Sequence, residues 1–226
     1  QLKVVQGDTD LVEGHGSVGS RSLFVGGNAI LRGIEDFLEE CKQLAASELE
    51  ASVEDLEYHQ GNFQVKGTRV GIGIFDLCSR QSDNSISVKR KKELTGRSWP
   101  NGCHVAEVEI DAETGEVRLD RYVSVDDVGN TVNPMIVHGQ VQGGIASGLG
   151  QAVLERTEYD ASGQLLSGSY MDYALPRADD MPSLSGSLFE KAPCLTNPLG
   201  AKGTGEIGAV AGPPAIVHAV IDALAE

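Results

Sequence analysis

The stretch NPMIVHGQVQGGIASGLGQAVLER, residues 133–156, decides how this chain is read. Val137, Val141, Ile145, Leu149 and Val153 recur at intervals of four, which lays one apolar stripe along a helix. Asn133 and Pro134 suit its N-cap and first turn. The same span holds Gly139, Gly143, Gly144, Gly148 and Gly150. Each glycine costs an exposed helix about 1 kcal/mol relative to alanine. Such a helix must lie against another backbone or a ligand that offsets the loss.

Working outward, CHVAEVEID and EVRLDRYVSVDD alternate across Ala112-Glu113-Thr114-Gly115 and predict a hairpin just before that helix. DLEYHQGNFQVKG predicts an earlier hairpin about Gly61-Asn62. From Asn28 to about Leu49, Ile30, Ile34, Phe37, Leu38, Cys41, Leu44 and Ala45 are spaced for an amphipathic helix. VGIGIFDLCSRQ reads as a short helix, and the polar run after it, with a basic cluster from Lys89 to Lys92, as a solvated connection. Residues 1–27 open with a short strand and pass into a Gly/Ser/Asp loop. Strands are expected at QLLSGSYMDY and near SLFEK, and a last helix opened by Pro213-Pro214. Hairpins alternating with helices make the fold class α+β.

The 226 residues carry 18 basic and 33 acidic side chains, a formal charge of −15, which disfavours nucleic acid and anionic lipid surfaces as partners. Cys41, Cys78, Cys103 and Cys194 are scattered, without a C-x-x-C pair, so neither zinc nor an iron–sulfur cluster is read here. They are expected to be buried free thiols in a reducing cytoplasm. No apolar run approaches the roughly 20 residues of a membrane span. A chain that starts at Gln1 and stops in DALAE reads as a fragment.

Two segments match G-x-G-x-x-G: residues 14–19 and Gly203-Thr204-Gly205-Glu206-Ile207-Gly208. Neither follows a strand and opens a helix with an acid about 20 residues on, as a dinucleotide fold requires. Gly19 lies among Ser17, Ser20 and Ser22, with Arg21 as a planar cation. That loop reads equally as a phosphate cradle or as a serine-capped turn. Gln140 offers an amide to a heterocycle edge, or is a solvated helical residue. Glu206 stands among small and apolar neighbours in AKGTGEIGAVAG, where partial desolvation would raise its pKa toward that of a general base. The competing reading pairs it with Lys202, four residues back.

Together, VDDVGNTVNPMIVHGQVQGGIASGLGQ (125–151), GQLLSGSYMDYALPRADDMPS (163–183) and NPLGAKGTGEIGAVAGPPAIVHAVIDAL (197–224) closely resemble the molybdenum hydroxylase large subunits. This is the group of xanthine dehydrogenase, aldehyde oxidoreductase and aerobic carbon monoxide dehydrogenase. QGDTD, GSVGSRS and PNGCHVAEVEID extend the resemblance over nearly the whole chain. It implies the C-terminal part of a molybdopterin-binding region, with two subdomains at about 1–130 and 131–226. The cofactor implied is a molybdopterin, commonly a cytosine dinucleotide, whose dithiolene holds the metal in place of any side chain.

By the same resemblance, Ser17, Gly19, Ser20, Arg21 and Ser22 fall in the cofactor-binding loop, Gln140 on a pterin contact, and Gly203, Gly205 and Glu206 in the K-G-x-G-E motif. Glu206 is the implied general base for hydroxylating an aldehyde or N-heterocycle with oxygen from water. Electrons would leave through iron–sulfur and FAD subunits or domains that this chain does not hold. Ser147 stands where the family pattern has glutamine, and Val128 where many bacterial members have cysteine. A first cofactor domain is missing, so the 226 residues alone are expected to be inactive. The alternative is a truncated, non-catalytic module of such a complex.

Overall fold

The computed structural model describes residues 3–14, 16–90 and 96–225, and these form two compact units, residues 1–14 with 25–93 and residues 15–24 with 94–226. The division falls near residue 93, whereas the sequence places it near 130. The physical reason lies in the second unit, where the strands before residue 130 share one core with the helices after it.

A π-helical turn, Leu23–Gly27, whose first two residues belong to the second unit, precedes α1, Asn28–Glu48, in the first. Cys41, Ala45 and Ala46 of α1 are buried with Leu56, Phe63, Ile72 and Leu77. Leu56 lies on β1 (Leu56–His59), Phe63 on β2 (Asn62–Val65) and Ile72 on β3 (Gly71–Gly73), an antiparallel sheet in that order. Leu77 belongs to α2, Ile74–Ser79. The hairpin turn is Gln60-Gly61, one residue earlier than the sequence indicates. Both residues adopt positive φ, 46° and 86°, the two-residue geometry that matches strand twist. Residues 3–14 form no strand. Lys89 is exposed and Arg90 pairs with Asp36 at 3.3 Å, while Lys91 and Lys92 lie outside the described residues.

The second unit is built on β4 (Asn101–Ile110) and β5 (Val117–Asp127), an antiparallel hairpin, with β6 (Leu184–Leu188) parallel to β5 on its other side. A register shift at Glu107/Val108 leaves Asp120 without a partner across the hairpin. Strand alternation is thereby reset, so Leu119 and Tyr122, three residues apart, both face the core. α3 (Pro134–Leu149) starts as expected: the Asn133 side chain accepts from Ile136 N–H at 3.2 Å and Pro134 follows. It runs on into a π-helical turn, Gly150–Leu154. Val141, Ile145 and Leu149 close over Leu119, Tyr122 and Ile216, the last from α4 (Ile207–Ala223).

α4 begins six residues before Pro213, not at it, and contains both prolines. Each removes one helical hydrogen bond, a cost set against close packing on α3. A Cβ added at Gly208 would lie 2.2 Å from the Val141 carbonyl, one at Gly144 2.6 Å from Ala209 N, and one at Gly148 2.8 Å from Pro213 Cδ. The two backbones touch where side chains would stand. Three of the five α3-region glycines are thus explained, since Gly150 likewise abuts Pro176. Gly139 and Gly143 meet nothing within 4 Å.

Residues 164–173 are turns with one isolated bridge, Tyr159 to Leu165, where the sequence indicates a strand. Asp160 accepts from the backbone N–H of Ser162 and Gln164, and Ser169 bonds Asp172; local bonds of this kind compete with a ladder. All four cysteines are free, but only Cys41 and Cys194 are buried; Cys103 is exposed and Cys78 half-buried. Among the described residues, no helix is long and apolar enough to cross a membrane.

Candidate active site

The exit of β5 organises the site. Adjacent residues on a strand point to opposite faces, and Asp126 and Asp127, both buried, accordingly serve two different networks. Asp126 Oδ1 lies 2.8 Å from His104 Nε2, and its Oδ2 accepts from Ser124 Oγ at 2.9 Å. The opposite imidazole nitrogen, Nδ1, is 2.9 Å from Tyr122 Oη. Burial, with the Asp126 charge adding to it, pushes the Tyr122 phenol up to about 12.

Asp127 faces the loop that carries Glu206. Its Oδ2 pairs with Lys202 Nζ at 2.6 Å and its Oδ1 accepts from Gly129 N–H at 2.9 Å. Lys202 N–H donates to the Val128 carbonyl at 2.7 Å, and Asn130 N–H to the Gly200 carbonyl at 3.0 Å. Residues 200–202 are thus stitched to residues 128–130, with a bridge between Gly129 and Ala201. The pairing of Lys202 with Glu206 that the sequence allows is not formed. The ammonium is paired instead with the acid at the end of β5.

Beyond Lys202 the chain passes through Gly203, Thr204 and Gly205 to Glu206, the cap position of α4. Glu206 is exposed, so the desolvation expected from its small neighbours is not supplied by them. Ser20 Oγ donates to its Oε2 at 2.5 Å. Ser20 itself has φ 54°, next to Gly19 at 60°, a left-handed pair that turns the serine loop toward the acid. Gly203 permits this approach, because a Cβ there would lie 2.8 Å from both Cβ and O of Ser20.

Gly19, Ser20, Arg21, Gly203 and Glu206 share one cleft of about 670 Å³, which lies wholly within the second unit. Of the other residues singled out in the sequence, Ser17, Ser22, Gln140 and Gly205 stand off its walls. Ser17 and Ser22 bond to each other through their hydroxyls. Gln140 is exposed, and its Oε1 is 3.7 Å from where a Cβ of Gly205 would stand. Arg21 Nε donates to the Val18 carbonyl at 3.1 Å, which braces the loop. His15, within the first glycine motif, lies outside the described residues.

Among the lining residues that a reading of the sequence does not single out are Arg97, Trp99, His104 and Asp126. For His104 a signal exists, since it shares strand parity with Ala106 and Val108 on the core side of β4. Arg97 and Trp99 sit in an irregular segment that has no periodicity to read. The donor set of the cleft suits an anionic, heteroaromatic group: guanidinium groups at Arg21 and Arg97, a hydroxyl at Ser20 and an indole ring at Trp99.

The family model described as a molybdopterin cofactor-binding domain matches residues 1–182. The chain is 34% identical to the gamma subunit of the 6-hydroxypseudooxynicotine dehydrogenase complex of Paenarthrobacter nicotinovorans, over 100% of this chain and 30% of that one. It is 31% identical to the carbon monoxide dehydrogenase large chain of Hydrogenophaga pseudoflava, over 99% of this chain and 29% of that one. The crystal structure of quinoline 2-oxidoreductase from Pseudomonas putida 86 superposes with a TM-score of 0.78 at 34% identity, covering 92% of this chain and 28% of that one. The chain therefore spans less than a third of the length of these relatives. It belongs to the molybdopterin cofactor-binding family of molybdenum hydroxylase large subunits.

Proposed function

We propose that this chain carries the general base of a molybdenum hydroxylase, Glu206, in an enzyme that oxidises an aldehyde or an N-heterocycle with water as the oxygen source. The observation that carries the reading is a carboxylate held at the wall of a 670 Å³ cleft by a 2.5 Å bond from Ser20, on a loop stitched to the end of β5. A bound molybdopterin supplies the two-electron oxidising capacity that no side chain of this chain has.

The protein's part is binding, orientation and proton transfer. Ser20 donates to Oε2, which leaves Oε1 of Glu206 as the atom that would accept a proton from water activated in the cleft. Arg21 and the left-handed turn at Gly19-Ser20 would hold a phosphate of the cofactor, with Ser17 and Ser22 bracing the loop from outside the cleft. Gln140, beside Gly205 and off the cleft walls, would offer its amide to the pterin edge. Gly203 and Gly205 keep the approach free of side chains. A cytosine dinucleotide form of the cofactor, and partner subunits that carry iron–sulfur clusters and FAD, complete this reading. Membership of a multi-subunit complex is supported by relatives named as one subunit of a complex and as a large chain.

Glu206→Gln in the assembled enzyme is expected to lower turnover at least about 100-fold while molybdenum content stays unchanged. Undiminished turnover with full molybdenum would remove the role of Glu206. Mild acid release from the native complex should yield molybdenum together with CMP. Neither component, in a correctly assembled complex, would make the chain a non-catalytic module.

A further inference from the structure

We propose that the Asp127–Lys202 ion pair is a positioning clamp for Glu206: it fixes the loop that delivers the carboxylate and keeps the lysine ammonium turned away from it. This rests on the reading of Glu206 as the base. Neither Asp127 nor Lys202 lines the cleft, so neither is a catalytic residue.

Three features carry the inference. The pair is close, 2.6 Å, and largely withdrawn from water, with side chains only 10% and 11% exposed. It is the last side-chain anchor between the β5 stitching and Glu206, because the intervening residues are Gly203, Thr204 and Gly205. Two of those three have no side chain that could limit the swing of the backbone. Lastly, Lys202 and Glu206 are four residues apart in a chain rich in glycine, so a lysine released from Asp127 can reach the carboxylate.

Both consequences are measurable in the cofactor-loaded complex. Displacing a catalytic group by about 1 Å can cost 100-fold in rate, so Asp127→Asn and Lys202→Met should each lower kcat by about 10- to 100-fold. KM and molybdenum content should change by less than about twofold. The two variants should then part company in the pH profile. Glu206 shares its cleft with Arg21, Arg97, His104 and Asp126, which both variants retain. Asp127→Asn alone adds a mobile cation, which favours the ionised carboxylate and should move the acid limb of kcat about one pH unit lower. Lys202→Met removes that cation and should not move the limb downward. Lys202→Arg, which can still pair with Asp127, should recover most of the lost rate.

A readout independent of turnover is hydrogen exchange. Amides in residues 200–206 should exchange at least about tenfold faster in Asp127→Asn, with those of β4 unchanged. If both variants lower only the melting temperature, with loop exchange, kcat and acid limb as in the parent, the pair is structural and the clamp is overturned. If the loop loosens while Glu206→Gln leaves turnover intact, the clamp stands for the loop and the base reading falls.

Discussion

Tyr122 and Cys41 are the two buried groups whose protonation is tied most firmly to folding. Burial pushes the Cys41 thiol up to about 11 from 9.0, with Cys78 and Glu40 adding to it, and the Tyr122 phenol up to about 12 from 10.0. Both folded-state values exceed the unfolded ones, so each contribution is complete below the unfolded pKa and is lost as pH rises through the folded one. Each is worth of order 2 kcal/mol. Urea midpoints should therefore be insensitive to these groups below about pH 9 and fall steadily between pH 9 and 12, less so in Tyr122→Phe. A thiol reagent at pH 8 should label Cys103 within minutes and leave Cys41 unlabelled until urea unfolds the chain, because the first thiol is exposed and the second buried. At this scale Glu206 was legible in the sequence as an acid out of keeping with its neighbours. Its partner was not, because Ser20 lies 186 residues away. Nothing local to GSVGSRS says which of its serines turns toward the acid.

At the scale of elements, the glycines of α3 divide into two classes that predict opposite outcomes. Gly144, Gly148 and, on α4, Gly208 stand where a Cβ would strike backbone or proline atoms at 2.2–2.8 Å. Gly144→Ala or Gly208→Ala should destabilise the second unit by about 1–3 kcal/mol or more, since overpacking forces two helices apart. Gly139→Ala and Gly143→Ala meet open space and should raise stability by up to about 1 kcal/mol each through helix propensity alone. Equilibrium urea unfolding of the four variants checks the sign. The stripe at spacing four was enough to place α3, and alternation enough to place β4 and β5. Three other elements were misplaced for physical reasons. Pro213 and Pro214 look like a helix start locally, but packing of Gly208 and Gly212 on α3 extends α4 back to Ile207. Asp160 and Ser169 take up backbone N–H groups of residues 162–171 locally, so apolar Leu165 makes only an isolated bridge and Tyr170 lies in a turn. Residues 3–14 have no neighbouring strand with which to pair.

Over the whole molecule, two units carry separate cores, one about Cys41, Phe63 and Leu77 and the other about Tyr122, Ile145 and Ile216. Phe63→Ala should cost about 3–5 kcal/mol of the first unit, as expected for truncating a large buried ring. The onset of Cys41 labelling should move to lower urea by the corresponding amount. The cleft draws only on residues of the second unit, although its serine loop and its Glu206 loop lie at opposite ends of the sequence. That assembly is why the unit does not divide near residue 130, where the sequence suggests a boundary. The change from hairpins to helices is visible along the chain, but the helices close over the strands they follow, and the two form one core.

By itself, the sequence determined the α+β class, the helices α1 and α3, both hairpins and the family to which the chain belongs, and it offered Glu206 as a candidate base. These depend on periodicity, turn chemistry and ordered motifs, all of which are properties of short segments. Tertiary structure alone decided that Lys202 pairs with Asp127 and not with Glu206, that Ser20 bonds the carboxylate, and that His104 and Asp126 lie beneath the same cleft. Each of those outcomes is a choice among partners of similar chemistry. Such choices are made by which backbones come within about 3 Å of one another once the strands and helices have packed.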